Sequence, residues 1–144
     1  MNNKVLKQKN IFKYLFILCI AFLSVSCSKN PFIGTWQGSH VRSSEYVVLG
    51  IEKNGNFRLY TFPSMPEQYW KLCTEGFTKY EGTWELTSDN EIELNCTRYT
   101  ERPLGGKVKD FTVGDTYYLR LDGALCKNYK DFASPFYNLI KDEK

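Results

Sequence analysis

The tripeptide Gly-Thr-Trp occurs twice, at residues 34–36 and 82–84. Each copy sits in an alternating stretch bounded by turn residues: Phe32-Ile33-Gly34-Thr35-Trp36-Gln37-Gly38, and Tyr80-Glu81-Gly82-Thr83-Trp84-Glu85-Leu86. A period of two places one side of an extended segment on a core and the other in water. The Gly marks a point where backbone must come close, and the Trp fills apolar space. These two strands anchor the reading of the rest of the chain.

The remaining alternating runs have similar lengths and are separated by turn signals. The first strand spans about Phe32 to Val41, with Phe32, Gly34, Trp36, Gly38 and His40 on one face. The second is Tyr46–Glu52, and Lys53-Asn54-Gly55 after it reads as a three-residue hairpin loop with a left-handed Gly. That loop sets Ile51 opposite Phe57, Leu49 opposite Leu59 and Val47 opposite Thr61, so the apolar faces agree. Further strands are expected at Phe57–Phe62, Gly76–Leu86, Glu91–Tyr99, Lys107–Val113 and Thr116–Leu121. Gly114-Asp115 reads as a two-residue hairpin. Asp122-Gly123 is either another tight hairpin into a short strand at Ala124–Asn128 or a bulge in a longer strand. Ser134-Pro135 supplies an N-cap and a first-turn proline, which predicts a short helix at Phe136–Lys141. Strands at this spacing, with nothing helical between them, predict an all-β antiparallel barrel or sandwich.

The first 26 residues are set apart from this pattern. Lys4, Lys7, Lys9 and Lys13 form a basic start without acidic residues, and Tyr14–Phe22 is an apolar run too short for a comfortable membrane span. Leu23-Ser24-Val25-Ser26-Cys27 follows, and small residues before a Cys at this point resemble the lipobox of a bacterial lipoprotein signal peptide. The resemblance implies cleavage after Ser26, acylation of Cys27 and a lipidated tether over residues 27–31. Ser28 resembles the second residue of lipoproteins sent on to the outer membrane. The expected organisation is therefore signal peptide 1–26, tether 27–31 and one domain over 32–144.

Removing the four lysines of that segment leaves 15 basic against 16 acidic residues in the remaining 118. The overall balance of +3 belongs to the signal. A neutral domain of this size has one core and no electrostatic footprint for nucleic acid. Three cysteines, Cys73, Cys96 and Cys126, remain in an oxidising compartment, enough for one disulfide and one thiol.

The first-strand Gly-Thr-Trp after Pro31-Phe32, the Gly-turned hairpin Ile51-Glu52-Lys53-Asn54-Gly55-Asn56-Phe57 and the strand Gly82-Thr83-Trp84-Glu85-Leu86 resemble small bacterial lipocalin-like lipoproteins. The resemblance covers residues 32 to about 121. It implies an up-and-down barrel of 7–8 strands. In that family the first-strand Trp closes one end of the barrel against an Arg of a late strand. Trp36 matches that Trp, and Arg120 is the candidate for the Arg.

If Trp36 marks a closed end, alternating strand directions place Lys53-Asn54-Gly55, Ser88-Asp89-Asn90 and Gly114-Asp115 there too. The longer connections, 42–45, 63–75 and 100–106, then share the open end. Cys73, Cys96 and Cys126 are expected near that rim, with Cys73–Cys126 the preferred pair because Cys96 faces the core; Cys73–Cys96 is the alternative. Tyr60, Phe62, Met65, Tyr69 and Trp70 lie in or beside the longest open-end loop, and amphipathic aromatics are enriched at recognition surfaces. They are the candidate ligand contacts, unless that loop plugs the barrel.

His40, the single histidine, has no partners at metal-ligand spacing and reads as a solvated or capping residue. Glu81, Glu85, Glu91 and Glu93 alternate with apolar residues and read as an outer face. No phosphate loop or metal motif is present in the sequence, and no cofactor or enzymatic activity is expected. The expectation is a lipid-anchored envelope protein, held to the outer membrane through Cys27. Its barrel mouth would bind a small apolar or amphipathic molecule. The alternative is a solid barrel whose open-end loops dock another envelope protein as inhibitor or assembly factor.

Overall fold

Among the described residues the chain is strand and turn throughout, with β1 (Gly34–His40), β2 (Tyr46–Ile51), β3 (Asn56–Phe62), β4 (Phe77–Ser88), β5 (Glu91–Arg102), β6 (Lys109–Thr112), β7 (Thr116–Arg120), β8 (Ala124–Lys127) and β9 (Tyr137–Lys141). The computed structural model describes residues 30–63 and 76–143. Every strand pairing is antiparallel, and eight strands close into a barrel in the order β1-β2-β3-β4-β5-β7-β8-β9, with β9 returning to β1. Of the antiparallel barrel or sandwich expected from the alternation, the fold is the barrel.

The hairpin around Lys53-Asn54-Gly55 has the expected register, with Ile51 opposite Phe57, Leu49 opposite Leu59 and Val47 opposite Thr61. Asp122-Gly123 is a tight turn: Gly123 N–H donates to the Arg120 carbonyl at 2.9 Å, and Leu119 faces Leu125 across it.

Two expectations are corrected. The C-terminal segment is strand β9, not a helix. It lies between β1 and β8, with His40 opposite Tyr137 on one side and Leu125 opposite Tyr137 on the other. Tyr137 and Leu139 are buried while Asn138 and Ile140 are exposed, a period of two that only a strand produces. Five residues gain little as an isolated helix, whereas as a strand they cover two sheet edges that would otherwise be open.

Gly114-Asp115 is likewise not a hairpin. β6 and β7 run in the same direction along one edge of β5, β6 beside Arg98–Glu101 and β7 beside Asn95–Glu91. Residues 113–115 bridge a step that takes only Cys96 and Thr97 on β5. Cys96 N–H donates to the Asp115 carbonyl at 2.9 Å and Val113 N–H to the Thr97 carbonyl at 3.3 Å. The extra residue is absorbed as a bulge, and β6 is a free edge beside a stretch of β5 whose other side is paired with β4.

This topology puts the turns at 53–55, 89–90 and 121–123 at one end, and the connections 41–45, 103–108 and 128–136, with the end of β3 and the start of β4, at the other. The half nearest the tight turns is filled. Phe32, Trp36, Leu49, Ile51, Phe57, Leu59, Ile92, Leu94, Leu119, Leu125 and Leu139 are each at most 4 % exposed and form one cluster. At about 1.5–3 kcal/mol per fully buried large apolar side chain, this cluster is the main stabilising feature of the fold. The two tryptophans both secure this end. Trp36 Nε1 donates to the Phe32 carbonyl at 2.9 Å and Trp84 Nε1 to the Glu52 carbonyl at 2.8 Å. Trp84 is half-buried and Leu86 is 53 % exposed, because β4 runs on past Asn56, the first residue of its neighbour β3.

Candidate functional site at the open end of the barrel

Above the filled half the inward-facing positions change character. The same alternation that buries Trp36 brings His40 inward on β1, and Leu59 is followed by Thr61 on β3. Tyr80 and Thr78 come from β4, Tyr117 from β7, Lys127 from β8 and Tyr137 from β9. On β5 the register shifts by one residue at Thr97, so that Cys96 and Tyr99 both face inward. Together with Glu45, Ser43 and Phe136 these residues line a bowl of about 370 Å³ that opens at the rim.

Its wall is an aromatic cluster. The Tyr80 ring lies 4.9 Å from Tyr99 and 5.6 Å from Tyr117, centre to centre. Lys127 Nζ stands 5.3 Å from the Tyr80 ring centre and 5.6 Å from that of Tyr117, and pairs with Asp115 at 2.9 Å. Burial works against the Lys127 charge, but the hydrogen bond to Asp115 and the proximity of Tyr80 outweigh it and raise the pKa. Burial is also the main reason that the phenols of Tyr117, Tyr137 and Tyr99 titrate above their ordinary range. The Tyr137 hydroxyl donates to Glu45. The hydroxyls of Thr61 and Thr78 lie 2.5 Å apart. His40 Nδ1 accepts from the Arg42 backbone N–H at 3.0 Å, and its ring meets Phe136 and Tyr137 edge-on.

A general base or nucleophile has its pKa brought toward the working pH, and here the phenols move away from it. The Cys96 thiol is pushed up to about 12 by burial and the nearby Asp115. Among the described residues, no group of three or more His, Cys, Asp or Glu could hold a metal ion. His40 is placed as a capping residue for the 41–45 turn.

The candidate contacts read from sequence fall elsewhere. Thr61 faces inward, so Tyr60 and Phe62 on either side of it face outward. They stack on each other at 6.5 Å, and Tyr60 meets Phe77 at 5.9 Å, an aromatic strip on the outside of the barrel. Their expected place in the mouth is therefore corrected. Met65, Tyr69 and Trp70 lie outside the described residues, as do Cys27 and Cys73.

The expected meeting of three cysteines near the rim involves Cys73, which lies outside the described residues. Cys96 faces the core, while Cys126, opposite Tyr118, lies on the other face of the wall beneath the 128–134 segment. Both are buried free thiols, and the preferred partner of Cys126, Cys73, is not among the described residues. Trp36 is at the closed end as expected, buried to 3 % exposure. Arg120 does not pack on it. Arg120 alternates with inward-facing Leu119, points outward, pairs with Asp122 through Nε at 2.9 Å and stacks on Phe132 at 4.8 Å. The cation over the Trp36 ring is Lys141 of β9, at 5.8 Å.

Sequence reasoning missed Tyr99, Tyr117, Lys127, Tyr137 and Glu45. Tyr99 is hidden by the bulge at Thr97, and Tyr137 by the helix signal before it. Tyr117 belongs to a strand whose two faces are both partly apolar in sequence. Tyr80, on the Trp84 face, was legible.

No family model, curated protein or solved structure matches this chain.

Proposed function

We propose that this is a lipid-anchored bacterial envelope protein of lipocalin-like design that binds a small amphipathic molecule at the open end of its barrel. One observation carries the reading: a bowl of about 370 Å³, within the range of small-molecule sites, stands on a filled lower barrel and gathers side chains from seven of the eight ring strands. The eight-strand closure, with Trp36 at the filled end, supports the lipocalin-like design. The lipid anchor rests on the sequence around Cys27.

Among the described residues no Val, Leu, Ile or Met lines the bowl. A long acyl chain would face phenols, a carboxylate and an ammonium, and the filled lower half leaves it no tunnel. The ligand is therefore compact, with polar groups as well as a face that rests on aromatic rings. Native mass spectrometry of protein purified from its own envelope tests this reading. A retained small molecule, lost in a Tyr80→Ala/Tyr99→Ala variant, is the expected result. A protein that carries no small molecule, and gains no thermal stability from any fraction of an envelope extract, overturns it.

A second reading has its own observation. Leu104, Val108 and Phe111 are 79 %, 53 % and 46 % exposed on β6 and the connection before it, where Asp110 ties β6 to Thr100 at 2.6 Å. Exposed apolar groups of this kind suit a protein partner. A photocrosslinker at Phe111 that captures one defined envelope protein in intact cells would favour this reading.

A further inference from the structure

The walls of the bowl present hydrogen-bonding groups of both signs around a floor of ring faces. Glu45 is an acceptor and receives the Tyr137 hydroxyl at one oxygen. Lys127 has three donors and gives one to Asp115 and one to the Tyr80 hydroxyl. The hydroxyls of Tyr80 and Tyr99 both donate and accept, and His40, with Nδ1 engaged by the Arg42 N–H, carries its proton on Nε2 when neutral. The two formal charges that line the bowl, Glu45 and Lys127, are opposite in sign. A strongly anionic ligand meets the carboxylate, and a strongly cationic one meets the ammonium. A purely apolar one desolvates the hydrogen-bonding capacity that these groups have left over and returns nothing to it.

From this arrangement we infer that the bowl is a saccharide site: it takes one or two neutral sugar units, a C–H face against the Tyr80–Tyr99–Tyr117 cluster and hydroxyls shared among Glu45, Lys127 and His40. This inference rests on the proposed small-ligand function of the bowl. A neutral polyol satisfies both signs of the wall at once, since each hydroxyl donates and accepts. Its ring C–H bonds, polarised by adjacent oxygens, suit the negative face of a phenol ring. The Lys127 ammonium above Tyr80 and Tyr117 fixes those rings from the β8 side, so the stacking surface is built before a ligand arrives.

The test is a titration of the isotopically labelled protein, followed by amide and aromatic NMR shifts. Three probe sets are used: the sugars D-glucose, D-galactose, N-acetyl-D-glucosamine and maltose; the anions benzoate and decanoate; and the cation choline. The expected result is saturable shifts from at least one sugar at Tyr80, Tyr99, Tyr117 and Lys127. Glu45→Gln and Tyr80→Phe each weaken that sugar at least fivefold, while Glu85→Gln on the exposed far end of β4 leaves it unchanged. Shifts at these residues from benzoate, decanoate or choline and from none of the sugars overturn the saccharide assignment and leave the small-ligand reading standing. No saturable shift from any probe overturns the saccharide assignment, and joined to empty native mass spectra it removes the small-ligand reading as well. Sugar shifts that survive both bowl variants place the sugar elsewhere and also overturn the assignment.

Discussion

Lys141, on the last strand, holds its ammonium 5.8 Å from the centre of the Trp36 ring on the first, and donates a hydrogen bond to the Pro31 carbonyl. The closed end is thus secured by the two ends of the domain meeting across the β1–β9 pairing. Lys141→Ala removes the cation–π contact and the bond to Pro31, for an expected loss of about 1 kcal/mol in urea unfolding and a changed tryptophan near-UV signal. Arg120→Ala removes an exposed ion pair worth little and leaves that signal unchanged. Equal effects of the two variants on the tryptophan signal contradict this placement.

The β9 strand makes opposite demands on adjacent residues. Leu139 is 4 % exposed and Ile140 is 76 % exposed. Leu139→Ala should cost about 3 kcal/mol, within the usual range for a buried leucine, and Ile140→Ala less than about 0.5 kcal/mol. Chemical denaturation of both variants measures the difference. Comparable losses would mean that the segment does not complete the barrel.

The glycine of the second Gly-Thr-Trp is set by backbone approach. A Cβ at Gly82 would lie 1.9 Å from the Asn95 carbonyl oxygen, whereas one at Gly50, also inside a strand, comes no nearer than 3.9 Å to any other residue's backbone. Gly82→Ala is expected to cost at least about 2 kcal/mol by forcing β4 and β5 apart. Gly50→Ala should be neutral or stabilise by about 0.5 kcal/mol, because alanine restricts the unfolded chain. Thermal melts of the pair decide it; a tolerated Gly82→Ala sinks the close-approach account.

Alkaline pH should destabilise the fold. Burial raises the pKa of Cys96 to about 12, and raises those of Tyr117 and Tyr137 as well. The unfolded chain loses these protons from about pH 9 upward, while the folded chain still holds them. The folded state then binds more protons, so stability falls with pH. The stabilisation is fully present below about pH 8 and declines through pH 12. Urea midpoints at pH 7, 9 and 10.5, with tyrosinate absorbance as a second readout, give the slope. Tyr117→Phe should flatten it, and an unchanged midpoint up to pH 10.5 contradicts the prediction.

The proposed anchor has a direct readout. The N-terminal peptide of protein extracted from envelopes should begin at Cys27 and carry the mass of a diacylglyceryl group and fatty acid. Cys27→Ser should abolish both the modification and processing after Ser26. An unmodified peptide spanning residues 26–28 in the wild-type protein excludes the lipobox reading.

Much of the barrel was legible in the chain. The alternation Val47, Leu49, Ile51 against Phe57, Leu59, Thr61 determined both the faces and the register of one hairpin, because a one-residue slip would have put every apolar side chain in water. It also contained the outward placement of Tyr60 and Phe62, since Thr61 faces inward. The bowl was less legible because its wall depends on parity after irregularities. The extra residue at Thr97 turns Tyr99 inward, and residues 113–115 carry β7 along β5 where a local Gly-Asp signal suggests reversal.

What the sequence by itself determined was the strand period, the tight turns at 53–55 and 88–90 and the burial of Trp36, all of which depend on side chains and dihedrals within a few residues. Only the tertiary structure decided that Tyr137–Lys141 is a strand, that Lys141 and not Arg120 covers Trp36, and that Tyr80 and Tyr117 meet beside Lys127. These outcomes turn on which distant backbone supplies each hydrogen bond. Ser134-Pro135 favours a helix locally, but β1 and β8 each have an edge to satisfy, and closing the ring satisfies both at once.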